Sequence, residues 1–194
     1  MSMNNSSITG IILAGGKATR LDGRDKGLLV MKGQPLIARK IEQLRSVGLQ
    51  ILIVTNTPQN YRKFDEDMIP DLVTDIGPIG GIFSGLTHSQ THLNFITAVD
   101  MPYFSETIFQ ALLKATTRTL SPATLFEHSG GIEPLFALYS KDCIPIFDTF
   151  IHQKRYRLSE CIHALKGLSI PISTEKAGNL FVNVNTAQDL GVHE

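Results

Sequence analysis

Residues 8–16, ITGIILAGG, decide the fold that the sequence predicts. They begin with a short apolar run, Ile8 to Leu13, and end in two adjacent glycines, Gly15 and Gly16. An apolar run of this length that stops at glycine is typical of a buried strand followed by a tight turn. We therefore expect a first strand at Ile8 to Leu13 and a turn directly after it.

Strand and helix patterns alternate along the rest of the chain. Apolar residues at helical spacing follow Pro35 and stop before Gly48, and a second strand is expected at Ile51 to Val54. Ser105 is suited to cap a later helix. The other expected strands are Asp71 to Thr74, Phe95 to Val99, Ala123 to Glu127, Leu135 to Tyr139 and Phe181 to Val184. The other expected helices are a short one around Tyr61 to Asp67, one that runs through Leu86, Ile144 to His152, Leu158 to Leu165, and a short one at the C-terminus.

This alternation predicts an α/β fold with three αβα layers, in which a mostly parallel sheet is covered by helices on both faces. The 194 residues contain no repeat, low-complexity tract or linker, so we expect residues 1–194 to form a single domain. Ligands of such sheets bind beyond the carboxyl ends of the strands. The loops at that edge are therefore expected to carry the chemistry.

The overall charge excludes two classes of partner. Lys plus Arg and Asp plus Glu both total 18, so nothing at the level of the whole chain attracts nucleic acid or a membrane surface. Met1 to Ser7 lacks the basic and apolar regions of a secretory signal, and no apolar stretch approaches the roughly 18 residues of a membrane span. Cys143 and Cys161 are too few for a disulfide framework. These features predict a cytoplasmic protein.

The loop after the first strand predicts a phosphate site. Gly15 and Gly16 allow backbone N–H groups to approach a phosphate closely. Four cations follow in the same loop, namely Lys17, Arg20, Arg24 and Lys26. The loop is neither a P-loop, because Ala18 stands where Ser or Thr is required, nor a GxGxxG dinucleotide fingerprint. The alternative is a solvated turn whose basic residues face water.

Two further loops offer carboxylates. Asp100 follows the strand Phe95 to Val99 and is the candidate ligand for Mg²⁺, which takes one or two protein carboxylates together with phosphate oxygens. The alternative for Asp100 is a structural cap on the backbone that follows. Asp75 precedes glycines that would permit packing on a flat base, and its carboxylate could accept hydrogen bonds from a purine edge or from ribose. The alternative there is an ordinary Gly-Pro turn.

His88 and His92 lie four residues apart and could share a helix face as metal ligands. The segment between them is short and polar, so a solvated helix end is the favoured interpretation.

Together these segments resemble the molybdenum cofactor guanylyltransferases. The resemblance rests on Leu13-Ala14-Gly15-Gly16 with Arg20 and Lys26, on Gly77-Pro78-Ile79-Gly80-Gly81, on Asp100-Met101-Pro102, and on Phe181-Val182-Asn183-Val184-Asn185-Thr186. Their order and spacing cover nearly the whole chain. The resemblance implies a Rossmann-like nucleotidyltransferase fold and transfer of GMP from Mg-GTP to molybdopterin or its molybdenum-loaded form, with pyrophosphate as the second product.

The resemblance also implies roles for individual residues. The nucleotide pocket would be lined by Leu13, Ala14, Gly15, Gly16 and Gly80, with Asp75 and either Thr55 or Asn56 at the nucleoside. The triphosphate would meet Arg20, Lys26, and Mg²⁺ held by Asp100. The acceptor would meet Asn183 and Asn185 at its pterin end and Arg155 or Arg157 at its phosphate. Proteins that deliver the cofactor or receive it are implied as partners.

Three alternatives stay open at this point. A cytidylyltransferase could act on the same pterin, although Gly15-Gly16 and Gly77-Pro78 resemble the guanine-specific branch. A sugar-phosphate nucleotidyltransferase would share the glycine loop and the metal aspartate, but it is usually longer. A nucleotide-binding regulator without catalysis is favoured by one feature, Asp22, which stands where the family has glycine.

Overall fold

The computed structural model describes residues 7–15, 25–184 and 189. The strands are β1 (Ile8–Leu13), β2 (Val30–Met31), β3 (Gln34–Pro35), β4 (Gln50–Val54), β5 (Asp67–Ile69), β6 (Leu93–Ala98), β7 (Ala123–His128), β8 (Gly131–Ser140) and β9 (Leu168–Pro171). The helices are α1 (Leu36–Ser46), α2 (Pro78–His88), α3 (Glu106–Thr119), α4 (Ile144–His152), α5 (Leu158–Leu165) and α6 (Thr174–Ala177).

Seven of these strands form one sheet in the order β5-β4-β1-β6-β8-β7-β9, and β2 and β3 form a separate two-stranded ribbon. Every neighbouring pair in the sheet is parallel except the two that contain β8. β8 is antiparallel because it follows β7 through a tight hairpin turn. The predicted mostly parallel sheet is confirmed.

Helices cover both faces of the sheet, which confirms the three-layer architecture. One hydrophobic core lies under α1 and α3 and contains Phe95 of β6. The other lies under α2, α4 and α5 and contains Ile96, the next residue of the same strand, because successive side chains of a strand point to opposite faces. Cys143 and Cys161 are free thiols buried in this second core. No helix that the structure describes is long and apolar enough to cross a membrane.

The strongest helical patterns are confirmed with local reasons. In α1 the residues at helical spacing are buried, and Gly48 takes a positive φ of 76° just after the helix ends. Pro35 lies one position before α1 rather than in its first turn. Ser105 caps α3 by accepting a hydrogen bond from the Ile108 N–H at 3.3 Å. α4 and α5 begin and end at the predicted residues.

The region between β4 and α2 differs from the prediction. Residues 61–67 contain no α-helix; two 3-10 turns, Pro58–Asn60 and Arg62–Phe64, precede β5. The expected strand at 71–74 is also wrong, because those residues form no strand. The strand that follows β4 is β5, whose Ile69 carbonyl accepts a hydrogen bond from the Thr55 N–H at 2.8 Å. Residues 71–77 instead form an irregular loop at the carboxyl edge of the sheet.

The C-terminal part also differs from the prediction. Phe181 and Val184 pack on the core under α1 and α3 as a strand would, but residues 181–184 form a turn and an irregular segment. The last strand within the described residues is instead β9, which pairs with β7 in parallel. The predicted C-terminal helix lies outside the described residues apart from Asp189.

Candidate active site

Three strand ends meet at one edge of the sheet. β1 lies between β4 and β6 and is parallel to both, so the segments that follow all three strands emerge at the same edge. Two backbone hydrogen bonds continue the pairing beyond the strands, from the Ala14 N–H to the Val54 carbonyl at 2.9 Å and from the Val99 N–H to the Leu13 carbonyl at 3.0 Å. Gly15 and Asp100 therefore open onto a common edge, as the sequence predicts.

A pocket lies beside the end of β1. Its lining residues come from the ends of β1 and β4, from the loop after β5, and from the start of α2; they are Leu13, Gly15, Val54, Asp71, Gly77, Pro78 and Gly81. The walls are mainly small or apolar, and Asp71 is the single ionisable side chain among these lining residues. A predominantly apolar lining with a single polar anchor is typical of small-molecule sites.

Glycines bring α2 and Asp71 close to the pocket. A Cβ at Gly81 would lie 3.1 Å from the Leu13 side chain and 3.6 Å from Asp71 Oδ1, and a Cβ at Gly15 would lie 3.6 Å from Asp71 Oδ2. Gly80, which the sequence predicts at the nucleotide, is buried and faces the Val73 carbonyl instead, where a Cβ would come within 2.7 Å. Gly81 is the neighbouring glycine that lines the pocket.

Asp71 is held in place by Asn56. The Asn56 amide donates to Asp71 Oδ2 at 2.8 Å, and the Asp71 N–H donates to Asn56 Oδ1 at 3.0 Å. Burial raises the pKa of the Asp71 carboxyl, and the hydrogen bond from Asn56 opposes that shift. Thr55 is the less suitable contact, because its hydroxyl is buried and pairs with Thr57 at 3.3 Å.

Asp71 is not among the residues that the sequence predicts for this site. Asp75, which is predicted there, lies in the exposed turn before α2 with a positive φ of 65° and does not line the pocket. A nucleoside contact by Asp75 stays a prediction. The sequence offers one signal for Asp71: its carboxylate lies four residues before Asp75 and seven before Pro78, where a helix starts. The predicted strand at 71–74 obscures this signal because it places Asp71 in a strand rather than in a loop.

Lys26 and Asp100 form the charged part of the site. Lys26 Nζ lies 2.9 Å from Asp100 Oδ2, and solvent reaches both side chains, which are 30% and 21% exposed. Lys26 is presented by a 3-10 turn, Lys26–Leu28, that Asp25 caps through the Gly27 N–H at 3.0 Å. The structure thus brings together a predicted phosphate lysine and the predicted metal carboxylate, which are 74 residues apart in the chain.

The donor set at Asp100 suits one kind of metal. Within the described residues, no group of three or more His, Cys, Asp or Glu side chains could hold a metal ion. A site closed by protein ligands alone is therefore not formed by this part of the chain. A single carboxylate at an open sheet edge fits Mg²⁺, which completes its octahedron with phosphate oxygens and water.

Two buried or half-buried ionisable groups lie near Asp100. Lys40 of α1 is fully buried, and its Nζ lies 3.5 Å from the Tyr103 carbonyl. Burial lowers the pKa of Lys40 to about 7, although the charge of Asp100 opposes the shift. Glu133 of β8 is half-buried, and burial raises the pKa of its carboxyl, with a smaller contribution in the same direction from Asp100. Neither residue is predicted for the site from sequence.

The segment 181–184 is joined to Asp100 by a backbone hydrogen bond. The Val184 N–H donates to the Asp100 carbonyl at 2.8 Å, and Asn183 beside it is exposed. Phe181 stacks on the His128 ring with centroids 5.1 Å apart. Asn183 thus directly precedes the residue that is hydrogen-bonded to Asp100, and its contact with the pterin end of the acceptor stays a prediction.

Arg155 and Arg157 lie together in the loop between α4 and α5. Both contact Glu160, Arg155 at 3.1 Å and Arg157 at 3.5 Å, and Arg155 also stacks over the Phe150 ring at 4.2 Å. α4 follows β8, which is antiparallel to β6 and therefore ends at the edge opposite Asp100. Their contact with an acceptor phosphate stays a prediction.

Three predicted site residues, Gly16, Arg20 and Asn185, lie outside the described residues, as do Lys17, Asp22 and Arg24. The histidine pair lies at the far edge of the sheet. His88 ends α2 with its Nδ1 2.9 Å from the Ser84 carbonyl, and His92 contacts Asp142 at 3.3 Å. These local contacts agree with the interpretation of a solvated helix end.

The chain is similar to proteins of one family. Residues 10–166 match the MobA-like NTP transferase domain. A relative from Flavobacterium johnsoniae, named probable molybdenum cofactor guanylyltransferase, is 30% identical over 95% of this chain and 95% of its own. A molybdenum cofactor guanylyltransferase from Vibrio campbellii is 31% identical over 93% of this chain and 91% of its own.

Solved structures confirm the fold. Molybdopterin-guanine dinucleotide biosynthesis protein A from Archaeoglobus fulgidus has a TM-score of 0.78 with 23% identity, and the match covers 96% of both chains. A CMP:2-keto-3-deoxy-manno-octonic acid synthetase has a TM-score of 0.76 with 13% identity over 96% of both chains. The family model and the curated relatives together show that the chain belongs to the molybdenum cofactor guanylyltransferase family.

Proposed function

We propose that this protein transfers GMP from Mg-GTP to molybdopterin or its molybdenum-loaded form, giving the guanine dinucleotide cofactor and pyrophosphate. The observation that carries the proposal is the meeting of Lys26 and Asp100, 2.9 Å apart, at the same sheet edge as the Asp71 pocket. A triphosphate bound along that edge would have its base at one end and its phosphates at the other. Family membership supports both the nucleotide and the acceptor.

The base end is suited to guanine. Guanine carries two adjacent donors, N1–H and the 2-amino group, and a carboxylate accepts from two adjacent donors at once. Asp71, held by Asn56, presents such a carboxylate between the glycines 15 and 81. Adenine and cytosine do not offer this pair of donors in their usual tautomers. Asp71 therefore supports a preference for GTP.

The phosphate end neutralises charge. Both reactants are anions, so the attack of the acceptor's terminal phosphate on the α-phosphorus of GTP is opposed by repulsion. When bound, Mg²⁺ would withdraw charge from the phosphate oxygens and from the departing pyrophosphate. Asp100 would hold the ion, and Lys26, released from its pair with Asp100, would contact the phosphates. Arg20 is proposed to add a second positive charge.

Bond changes in this reaction need no protein nucleophile. An acceptor phosphate oxygen forms a bond to the α-phosphorus as the bond from that phosphorus to the bridging oxygen of pyrophosphate breaks, and the electron pair leaves with pyrophosphate. Positioning and charge stabilisation supply most of the catalysis in transfers of this kind. Asn183 and Asn185, with Arg155 or Arg157, are proposed to place the acceptor.

Residues 1–194 are proposed to form one domain, which the single seven-stranded sheet supports. Because GTP is supplied in the cytoplasm, the reaction is proposed to take place there. Proteins that deliver molybdopterin or receive the product are proposed as transient partners.

Turnover with each nucleoside triphosphate tests the proposal. The protein is incubated with Mg²⁺, molybdopterin and GTP, CTP, ATP or UTP in turn, and pyrophosphate release is measured. Pyrophosphate with GTP alone is the expected result. Turnover with CTP in preference to GTP would indicate a cytidylyltransferase, and GTP binding without pyrophosphate would indicate a regulator.

A further inference from the structure

Asp25 is the acceptor for four hydrogen bonds that come from two separate segments. Its Oδ1 accepts from the Gly27 N–H at 3.0 Å and from the Tyr61 hydroxyl. Its Oδ2 accepts from the Thr57 hydroxyl at 3.1 Å and from the Asn60 amide at 3.0 Å. Both carboxylate oxygens are thus used, and the donors from residues 57–61 lie more than thirty positions away in the chain.

The first segment is the turn that carries Lys26. Asp25 caps this 3-10 turn, and Gly27 lies against Tyr61 so closely that a Cβ at this glycine would come within 2.5 Å of the tyrosine hydroxyl oxygen. Tyr61 is fully buried, and burial raises the pKa of its hydroxyl, with a further contribution from Asp25. The hydroxyl therefore stays protonated and donates. The turn that carries Lys26 therefore packs against a buried side chain.

The second segment also orients the base carboxylate. Asn56, which holds Asp71, lies between Thr55 and Thr57, whose hydroxyls are 3.3 Å apart. The loop of residues 55–61 therefore contacts Asp71 at one end and Asp25 at the other. Next to Asp25, Lys26 reaches Asp100 at 2.9 Å. Polar contacts, together with the chain neighbours Asn56–Thr57 and Asp25–Lys26, thus join the base end of the site to its phosphate end.

We propose that Asp25 is a positioning residue that sets the place of Lys26 relative to the base pocket. Asp25 does not contact the nucleotide in this proposal; it acts through Lys26. The carboxylate is required because all four groups around it are donors, and an amide would present its NH₂ group to some of them. A displacement of about 1 Å in such a charged group can cost on the order of 10² in rate. This inference rests on the proposed role of Lys26 at the phosphates.

A double-mutant cycle tests the proposal. Asp25→Asn is expected to lower kcat/KM for GTP about tenfold when Lys26 is present and less than twofold in a Lys26→Met background, since coupled residues do not act additively. A merely structural role would lower kcat/KM by the same factor in both backgrounds. Equal factors would therefore overturn the proposal.

Tyr61→Phe provides a second, milder variant in case Asp25→Asn does not fold. It removes one donor to Asp25 and keeps the ring, so about a threefold to tenfold loss in kcat/KM is expected, again only when Lys26 is present. The matched control is Tyr139→Phe, which removes a buried hydroxyl that donates to the Pro134 carbonyl at 3.0 Å in the other core. Tyr139→Phe should lower the melting temperature by a similar amount. Any fall in its kcat/KM should be the same with and without Lys26. Equal losses in Tyr61→Phe and Tyr139→Phe would contradict the proposal.

Calorimetric binding separates this inference from the proposed function. Asp25→Asn is expected to weaken the binding of Mg-GTP about tenfold while guanosine, which lacks phosphates, binds as it does to the unaltered protein. If no triphosphate were turned over with molybdopterin, the proposed function would fail, but this binding difference would still report on Asp25. Equal weakening of GTP and guanosine would overturn the positioning role.

Discussion

The two ends of the candidate site, at Asp71 and at Asp100, are formed by different kinds of residue. The base end, at Asp71, has glycines, apolar walls and one carboxylate held by a neutral amide. The phosphate end, at Asp100, has paired charges that solvent reaches and a buried lysine behind them. Shape and directed hydrogen bonds discriminate between ligands, whereas charge stabilises a transition state. The base end is therefore expected to control selectivity, and the phosphate end is expected to control rate.

The largest effect is expected at Asp100. Asp100→Ala should lower kcat on the order of 10² or more, because the magnesium ligand and the charge balance of the site are lost together. Pyrophosphate release from GTP in the presence of molybdopterin is the measurement. The control is Asp142→Ala, which removes an exposed carboxylate at the far edge. Near-normal GMP transfer by Asp100→Ala would contradict the assignment.

Lys26 is expected to have the next largest effect. Lys26→Met should lower kcat/KM for GTP by about 10-fold to 100-fold, since one cation at the developing charge is removed. The melting temperature should change little, because an ion pair open to solvent contributes at most about 1 kcal/mol. Lys114→Met, on an exposed position of α3, is the control for removal of a lysine. A large fall in melting temperature without a fall in rate would indicate a structural role for Lys26.

Asp71 is expected to affect selectivity more than rate. Inosine triphosphate lacks the 2-amino group of GTP, so the ratio of kcat/KM for the two nucleotides measures the hydrogen bond to that group. Asp71→Asn should reduce this ratio about tenfold, which is the value of one hydrogen bond to a charged acceptor. Asp75→Asn is the matched comparison, because the sequence predicts Asp75 for the same contact. A change in the ratio with Asp75→Asn alone would move the base contact to that residue.

The smallest effect on activity is expected at Lys40, whose replacement should instead alter stability. The pKa of Lys40 is about 7 in the folded protein against 10.5 for the free side chain, so the unfolded chain binds more protons between these values. The free energy of unfolding should therefore rise with pH across this window, by up to about 1.4 kcal/mol per pH unit. Below about pH 7 the lysine is charged in both states, so the full cost of burying that charge is present.

Lys40→Met should remove the cost of burying this charge, so the free energy of unfolding should rise less with pH. Urea unfolding of the variant at pH 7 and pH 9 is the measurement, with the exposed Lys114→Met as the control that keeps the rise. Because Asp100 and Arg39 also act on Lys40, the rise should be measured without nucleotide or metal. An unchanged rise in Lys40→Met would show that another group titrates in this range.

Much of the fold is predictable from sequence because burial imposes a regular pattern. β1, β4 and β6 are inner strands that are rich in apolar residues and buried over nearly their whole length. α4 and α5 follow apolar spacing closely enough to be predicted to the residue. The short strands at the sheet edges are not predictable in this way. β5 has three residues, and β9 ends in a proline, so neither has a distinctive pattern.

The site is predictable where a residue directly follows a central strand. Gly15 and Asp100 satisfy that condition, and both lie at the predicted edge. Asp71 follows only the short edge strand β5, and Asp25 follows no strand directly. Both are held by residues distant in sequence, Asn56 in one case and Thr57, Asn60 and Tyr61 in the other. Such contacts depend on how loops pack together, and the sequence carries no local pattern for them.

A crystal structure with Mg²⁺ and the α,β-methylene analogue of GTP would test the central claim most directly. The account predicts that the guanine lies against Asp71 and Gly81, that the metal contacts Asp100, and that Lys26 has left Asp100 for the phosphates. A base bound on the side of Phe181, or a metal bound away from Asp100, would contradict it.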